Sequence, residues 1–230
     1  MKNLSKESKA YYDDNDFYEI FSIAEDGENK VSNYLKSISK DKIVLDAGCG
    51  TGKFLNILET SSKEYIGIDL SDKQLSKAKL KSKKDNTKFI CSNLSSINIE
   101  DNKIDLIVSS WVLGTITDIN ERTSALNELK RILKDNGIII LIENAENSEF
   151  ETIRGRDKDT RTKDYNDWIL SNGFTLEETI NTHFNFKSLE EAIKCFDVIY
   201  GNEVSSKIKN SKIEHKINIY KYTKEKTIQR

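Results

Sequence analysis

The stretch Ile43-Val44-Leu45-Asp46-Ala47-Gly48-Cys49-Gly50-Thr51-Gly52-Lys53-Phe54-Leu55 constrains the fold of this chain more than any other. A short apolar run reads as a buried strand and an acid closes it. Glycines follow at alternate positions, and Phe54, Leu55 and Leu58 then open a helical pattern. A strand, a glycine-rich turn and a helix in that order suit a ligand lying on the backbone. Glycine adopts positive φ and, without a Cβ, lets the ligand approach the N–H groups of the helix N-terminus.

Spacing separates the folds that use this device. A phosphate-binding Gly-x-x-x-x-Gly-Lys-Ser/Thr loop counted back from Gly52-Lys53 would need a glycine at Ala47 and a hydroxyl at Phe54. The dinucleotide pattern Gly-x-Gly-x-x-Gly fits Gly48 and Gly50 but meets Lys53 at its third glycine. The pattern that remains, Asp-x-Gly-x-Gly-x-Gly, resembles the first motif of the class I S-adenosylmethionine-dependent methyltransferases. Further segments follow in that family's order. Tyr65-Ile66-Gly67-Ile68-Asp69 ends a second strand in an acid about twenty residues past the first glycine, where a ribose ligand belongs. Phe89 to Leu94 resembles the third strand, with Asn93 where the family usually has Asp. Ile104 to Leu113 resembles the fourth strand and its turn, and Leu129 to Gly137 with Ile138 to Ile142 resembles the next helix and the fifth strand. The resemblance covers about residues 42 to 143.

It implies a single domain over residues 1–230 with an α/β, Rossmann-like, doubly wound seven-stranded sheet, mostly parallel with an antiparallel last strand. The periodicity agrees: strands alternate with helices up to residue 143, as βαβ units require. Phe174 to Phe186 and Ile213 to Tyr222 read as an antiparallel pair by their alternation. Val31, Tyr34, Leu35 and Ile38 predict a helix before the first strand, and Ala125, Leu126, Leu129, Ile132 and Leu133 another that ends at Gly137. A capping box at Ser188 and Glu191 starts a helix whose expected buried face is Leu189, Ala192, Ile193, Phe196 and Tyr200. Residues 1–30 contain aromatics at helical spacing and no strand pattern. With the polar stretch 144–161 they are expected to cap the site.

Composition excludes several function classes. The longest apolar run, Ile138 to Ile142, is far short of a membrane span. Residues 1–10 lack the apolar core of a secretory signal, so a cytoplasmic protein is expected. Cys49, Cys91 and Cys195 are widely spaced, pointing to no metal and no disulfide framework but to three buried small hydrophobes. The net charge of −2 gives no general pull toward nucleic acid. The six lysines between Lys73 and Lys84 come without arginines or aromatics, so a solvated helix face is the expectation. Proline is absent, and nothing in the physical chemistry of the chain explains it.

The resemblance also implies roles. Asp69 would accept the ribose hydroxyls of S-adenosylmethionine, and Asp46 would neutralise its α-ammonium, directly or through water. The backbone at Gly48, Cys49, Gly50 and Gly52 would take the methionine part, Leu70 and Leu94 would sandwich the adenine with Asn93 near its amino group, and Ser110 would lie close to the methyl group. Methyl transfer is an in-line displacement needing alignment, and a base only where the acceptor loses a proton. The candidates for that base are His183, near the end of the sixth strand, and Glu143, at the end of the fifth, which can instead pair with Arg154 or Arg156. His215, amid charges, is expected to be exposed. Tyr11, Tyr18, Phe21, Trp111 and Arg154 are the candidates for acceptor contacts.

The turn after the fourth strand, Ser109-Ser110-Trp111-Val112, lacks the Asn/Asp-Pro-Pro-Tyr of amino-methylating enzymes and resembles that of the group acting on metabolites. Thr115 stands where that group commonly has His. A small-molecule acceptor methylated at oxygen or nitrogen is therefore expected. An RNA or protein acceptor, or a non-catalytic S-adenosylmethionine-binding regulator, is the alternative.

Overall fold

The computed structural model describes residues 16–226. Seven strands form one sheet: β1 (Ile43–Ala47), β2 (Glu64–Asp69), β3 (Thr87–Cys91), β4 (Ile104–Ser110), β5 (Leu133–Asn144), β6 (Thr175–Asn185) and β7 (Lys212–Thr223). Their order is β3-β2-β1-β4-β5-β7-β6; β1 to β5 are parallel, and β7 runs antiparallel to both β5 and β6. The doubly wound, seven-stranded expectation is met. So is the pairing of the last two strands, with Ile142 opposite Ile219 and Phe184 opposite Ile213.

Alternation along β1 assigns the two faces of the sheet. Leu45 and Ala47 pack on one side with α5 (Ile119–Ile132), through Ala125, Leu126, Leu129 and Ile132, and with Ile169 of α7 (Arg161–Ser171). Val44 faces the other side, where α2 (Lys30–Ser39) contributes Val31 and Leu35, and α3 (Leu55–Ser61) contributes Leu55 and Leu58. Side chains two apart on a strand share a face, so a strand apolar throughout supplies both cores. Several of the helix starts are held by side-chain caps. Ser71 Oγ accepts from Gln74 N at the head of α4 (Asp72–Lys81), and Asp118 Oδ1 accepts from Asn120 N and Glu121 N at α5. Ser188 Oγ accepts from Glu191 N at the head of α8 (Leu189–Tyr200).

A third apolar cluster lies beyond the last strands. Phe21 of α1 (Asp16–Ala24), Phe150 of α6 (Glu149–Ile153), Phe184 of β6 and Phe196 of α8 meet there, with ring centroids from 4.8 to 6.4 Å apart. A four-residue helix α9 (Asn202–Ser205) leads toward β7.

Four expectations need correction. The chain passes from α5 straight into β5 at Leu133, so Gly137 does not cap the helix. The left-handed residue is Asn136 (φ 59°), and a Cβ on Gly137 would stand 2.8 Å from the Lys134 carbonyl oxygen. The buried face of α8 is rotated, with Cys195 and Ile199 inside and Leu189 and Ile193 exposed, because the helix packs beside α1 instead of flat on the sheet. Cys91, on the edge strand β3, is exposed, unlike Cys49 and Cys195. His215 is completely buried: its flanking charges, Glu214 and Lys216, alternate away, while the imidazole shares the phase of Ile213, Ile217 and Ile219.

Candidate active site

The strand order reverses between β1 and β4, and the turns after these two strands open the crevice where ligands of such sheets lie. The glycine turn fills its role in two distinct ways. Gly48 (φ 81°) is packed so closely that a Cβ would fall 2.3 Å from Val112 Cγ2, so this position ties the β1 turn to the β4 turn. Gly50 (φ 54°) faces open space, with Gln74 Oε1, 4.0 Å away, as the first atom a Cβ would meet. That gap is backbone offered to a ligand.

Asp69, at the end of β2, reaches across to this turn. Its Oδ2 accepts from Gly50 N at 2.9 Å and its Oδ1 from Ser71 N at 2.8 Å. A carboxylate has about four acceptor positions, so both oxygens retain capacity for ribose hydroxyls. Burial raises the Asp69 pKa, opposed by the backbone donors of Ser71 and Gly50.

The cavity beyond measures about 1390 Å³. Gly48, Cys49, Gly50, Asp69, Leu70, Asn93, Leu94 and Ser110 are on its wall. Beside Leu94, Asn93 Oδ1 accepts from Ser95 N, and its amide nitrogen points to Glu121 at 3.4 Å. Two of the expected cofactor residues do not reach the wall. Gly52 (φ 83°) packs against Leu55, and Asp46 lies behind the turn, accepting from Tyr65 O–H at 3.0 Å. Burial pushes Asp46 up to about 7, against the Tyr65 hydrogen bond and helped by the nearby charge of Asp69.

At the other end, the carboxyl ends of β4 and β5 form the floor. Trp111 has φ 54°, a costly conformation for a bulky residue. Three contacts hold it: its backbone N–H bonds Ile142 O at 2.9 Å, its indole N–H bonds Asn144 Oδ1 at 2.8 Å, and Lys53 Nζ sits 4.0 Å from the ring centroid. Asn144 Oδ1 is also 3.2 Å from His215 Nε2, and His215 stacks on Phe184. Burial drives the His215 pKa well below its usual value, with the charges of Lys53 and Arg154 adding to the effect.

Glu143, the candidate base on β5, is on the cavity wall. It pairs with neither Arg154 nor Arg156; it accepts from Tyr165 O–H at 2.8 Å. Burial pushes its carboxyl up to about 8, with the Tyr165 hydrogen bond and Arg122 opposing. His183, the other candidate, is not on the wall. It projects from the outer side of β6, where Nδ1 meets Glu28 Oε1 at 3.0 Å.

Tyr18, Phe21, Trp111 and Arg154, the candidates for acceptor contacts, line the same cavity, and Tyr11 lies outside the described residues. Several residues around the cavity were not singled out by the sequence. Glu25 bonds Lys53 at 2.7 Å, and burial raises its pKa. Glu19 bridges Thr51 of the glycine turn and Lys81 of α4. Tyr165 and Trp168 stack at 5.9 Å with the Arg122 guanidinium over both. The aromatic pair could have been found from its i, i+3 spacing; the Glu25 and Glu19 contacts join distant segments and could not.

Comparison with known proteins agrees with this geometry. A family profile described as "Methyltransferase domain" matches residues 45–141. A malonyl-[acyl-carrier protein] O-methyltransferase of Buchnera aphidicola is 30% identical over 171 residues, covering 71% of this chain and 67% of that protein. An uncharacterised protein of Methanocaldococcus jannaschii is 35% identical over 126 residues, 55% of this chain and 47% of its own length, so the chain spans about half of that relative. The N-methyltransferase NodS of Bradyrhizobium japonicum, solved with S-adenosylhomocysteine, superposes with a TM-score of 0.58 at 15% identity, over 93% of this chain and 90% of NodS. The sheet order, the glycine turn facing Asp69, the family profile and the Buchnera relative together make this chain a member of the class I S-adenosylmethionine-dependent methyltransferases, enzymes whose methyl donor is S-adenosylmethionine.

Proposed function

We propose that this protein methylates a small molecule at oxygen or nitrogen, inside a chamber closed by α1 and residues 144–161. The observation that carries this reading is the continuity of the cavity. The glycine turn, Asp69, Ser110 and Glu143 border one cavity whose far end is walled by Tyr18, Phe21 and residues after β5. An acceptor held there lies beside the glycine turn, which gives the alignment an in-line displacement requires.

Bound S-adenosylmethionine supplies a sulfonium-activated methyl group. The residues of this chain do the rest. Gly50 leaves room for the methionine part, Asp69 has acceptor capacity for the ribose, and Leu70 and Leu94 flank the adenine position. Asp46, off the wall, shapes the turn and holds Tyr65. Glu143 is the proton acceptor for an acceptor O–H or N–H, since a carboxyl titrating near 8 releases and takes protons close to neutral pH. The α1 helix is fastened to the cofactor turn by Glu19 and by the Glu25–Lys53 pair, so it covers donor and acceptor together.

Incubation with methyl-labelled S-adenosylmethionine and a fractionated cell extract tests the reading. Label in the small-molecule fraction is expected. Label confined to RNA or protein would replace the acceptor class, and no binding of S-adenosylhomocysteine by calorimetry would overturn the donor.

A further inference from the structure

Two costly features of the cavity region converge on one side chain. Trp111 is held at φ 54°, and backbone strain of that kind collects at ligand sites, where surrounding contacts fix it. His215 is completely buried, and its Nδ1 has no hydrogen-bond partner. Both rings direct a nitrogen at the same atom, Asn144 Oδ1: Trp111 Nε1 from 2.8 Å and His215 Nε2 from 3.2 Å.

These contacts fix the Asn144 amide. An indole N–H can only donate, so the atom facing Trp111 is the oxygen. His215 Nε2 therefore carries the ring proton, since two acceptors would otherwise face each other, and Nδ1 keeps the unpaired lone pair. A flipped amide would set its own N–H groups against both donors. The side-chain nitrogen of Asn144 is thus left with two N–H donors. Among the described residues no acceptor bonds it, and unlike His215 Nδ1 it is not sealed from solvent. Asn144 ends β5 next to Glu143, and both border the cavity. Two coplanar N–H bonds suit the in-plane lone pairs of a carbonyl oxygen.

We propose that Asn144 is a specificity-determining residue for methyl transfer. Its Nδ2 donates to a carbonyl oxygen of the acceptor, so the molecule methylated here carries a carbonyl group as well as the hydroxyl or amine that receives the methyl. Trp111 and His215 orient the amide and act through it. This rests on the reading of the cavity as an acceptor chamber.

The test uses the full chain saturated with S-adenosylhomocysteine, whose binding is measured first. 4-Fluoroacetophenone, which offers a carbonyl, and 4-fluorotoluene, which does not, are titrated separately and followed by 19F NMR; their rings suit the aromatic residues on the cavity wall. Asn144→Asp keeps an oxygen for Trp111 and His215 and replaces only the N–H donors. It should weaken ketone binding about fivefold or more, the scale of one hydrogen bond, with hydrocarbon binding held within about twofold and S-adenosylhomocysteine affinity unchanged. Trp111→Phe, which keeps a ring and loses the indole N–H, frees the amide to flip and should lower the ketone-to-hydrocarbon affinity ratio in part. In the wild type the Asn144 side-chain amide protons, identified by their NOE to the Trp111 indole proton, should move downfield with the ketone and not with the hydrocarbon. Equal losses for the two probes, amide protons unmoved by the ketone, or no ketone bound at about 5 mM, near the weak end of useful recognition, would overturn the assignment. A fall in S-adenosylhomocysteine affinity in the Asp variant would also overturn it, by giving the amide to the methyl donor. Failure of S-adenosylhomocysteine to bind the wild type would instead overturn the methyltransferase chamber beneath it.

Discussion

Tyr165 and Glu143 belong to different elements and meet in the cavity wall, the phenol donating to the carboxyl at 2.8 Å. The contact places a group that titrates near neutral pH where the acceptor would lie.

The pH dependence of stability follows from that burial. Folded Glu143 keeps its proton to about pH 8, whereas the unfolded chain releases it near the ordinary value of 4.5. Between these values unfolding releases a proton, so the contribution is fully present below about 4.5 and is lost as pH rises toward 8. Glu143→Gln, neutral throughout, should gain on the wild type by on the order of a few kcal/mol between pH 5 and 8 in urea unfolding. Its methyl-transfer rate should fall about 100-fold or more if the carboxyl takes the acceptor proton. Parallel stability profiles for the two proteins would refute the first expectation.

The turn glycines should separate folding from binding. Gly48→Ala drives a methyl into Val112 at positive φ and should cost about 2–4 kcal/mol of stability. Gly50→Ala meets no protein atom within close contact, so its stability cost should stay near 1–2 kcal/mol, roughly the left-handed penalty alone. Its methyl group stands on the ligand side, and S-adenosylhomocysteine affinity should drop about tenfold or more. Chemical denaturation with calorimetry decides, and the reverse ranking would show the turn misread.

Asp69→Ala should weaken S-adenosylhomocysteine binding by about 1.5–3 kcal/mol, the size of lost hydrogen bonds to a charged group. The mutation will also loosen the fold, because Gly50 N–H and Ser71 N–H lose their acceptor. Asp69→Asn keeps one acceptor oxygen and should fall between. Unchanged affinity in a folded Ala variant would remove Asp69 from the cofactor site.

His215 sets the acid limit. Its folded pKa is depressed by burial, while the unfolded chain takes up the proton near the usual 6.5. Unfolding therefore absorbs a proton below that value, and stability present above it is lost as pH falls. His215→Gln should flatten the decline between about pH 6.5 and 4.5, read from thermal unfolding against pH. An unaltered acid limb would place the sensitivity elsewhere.

The part of the site closest to the glycine turn was readable because its determinants are local. The short apolar run Ile43 to Leu45 closed by Asp46, glycines at positive φ and an acid ending the next strand each declare themselves within a few positions. The acceptor end resisted because its pairs span long separations: Glu25 with Lys53, Glu143 with Tyr165, Glu19 with both Thr51 and Lys81. The two histidines show how phase decides. Strand alternation puts His215 with Ile213 and Ile217 inside, while His183 falls between buried Thr182 and Phe184 and points out. Local charge suggested the opposite for His215, but a strand paired on both edges buries whatever shares its apolar phase.

The third aromatic cluster governs the order in which the chamber can be assembled. Phe21 lies near the beginning of the described chain, yet the rings that bury it, Phe150, Phe184, Phe186 and Phe196, all follow β5. Among the described residues, β6 pairs only with β7, which follows it in the chain. A nascent polypeptide can therefore complete β1 to β5, with the glycine turn and Asp69 in place, while α1 still lacks its packing partners. The glycine turn and Asp69 thus depend on segments that precede β5, while the packing of α1 depends on segments that follow it.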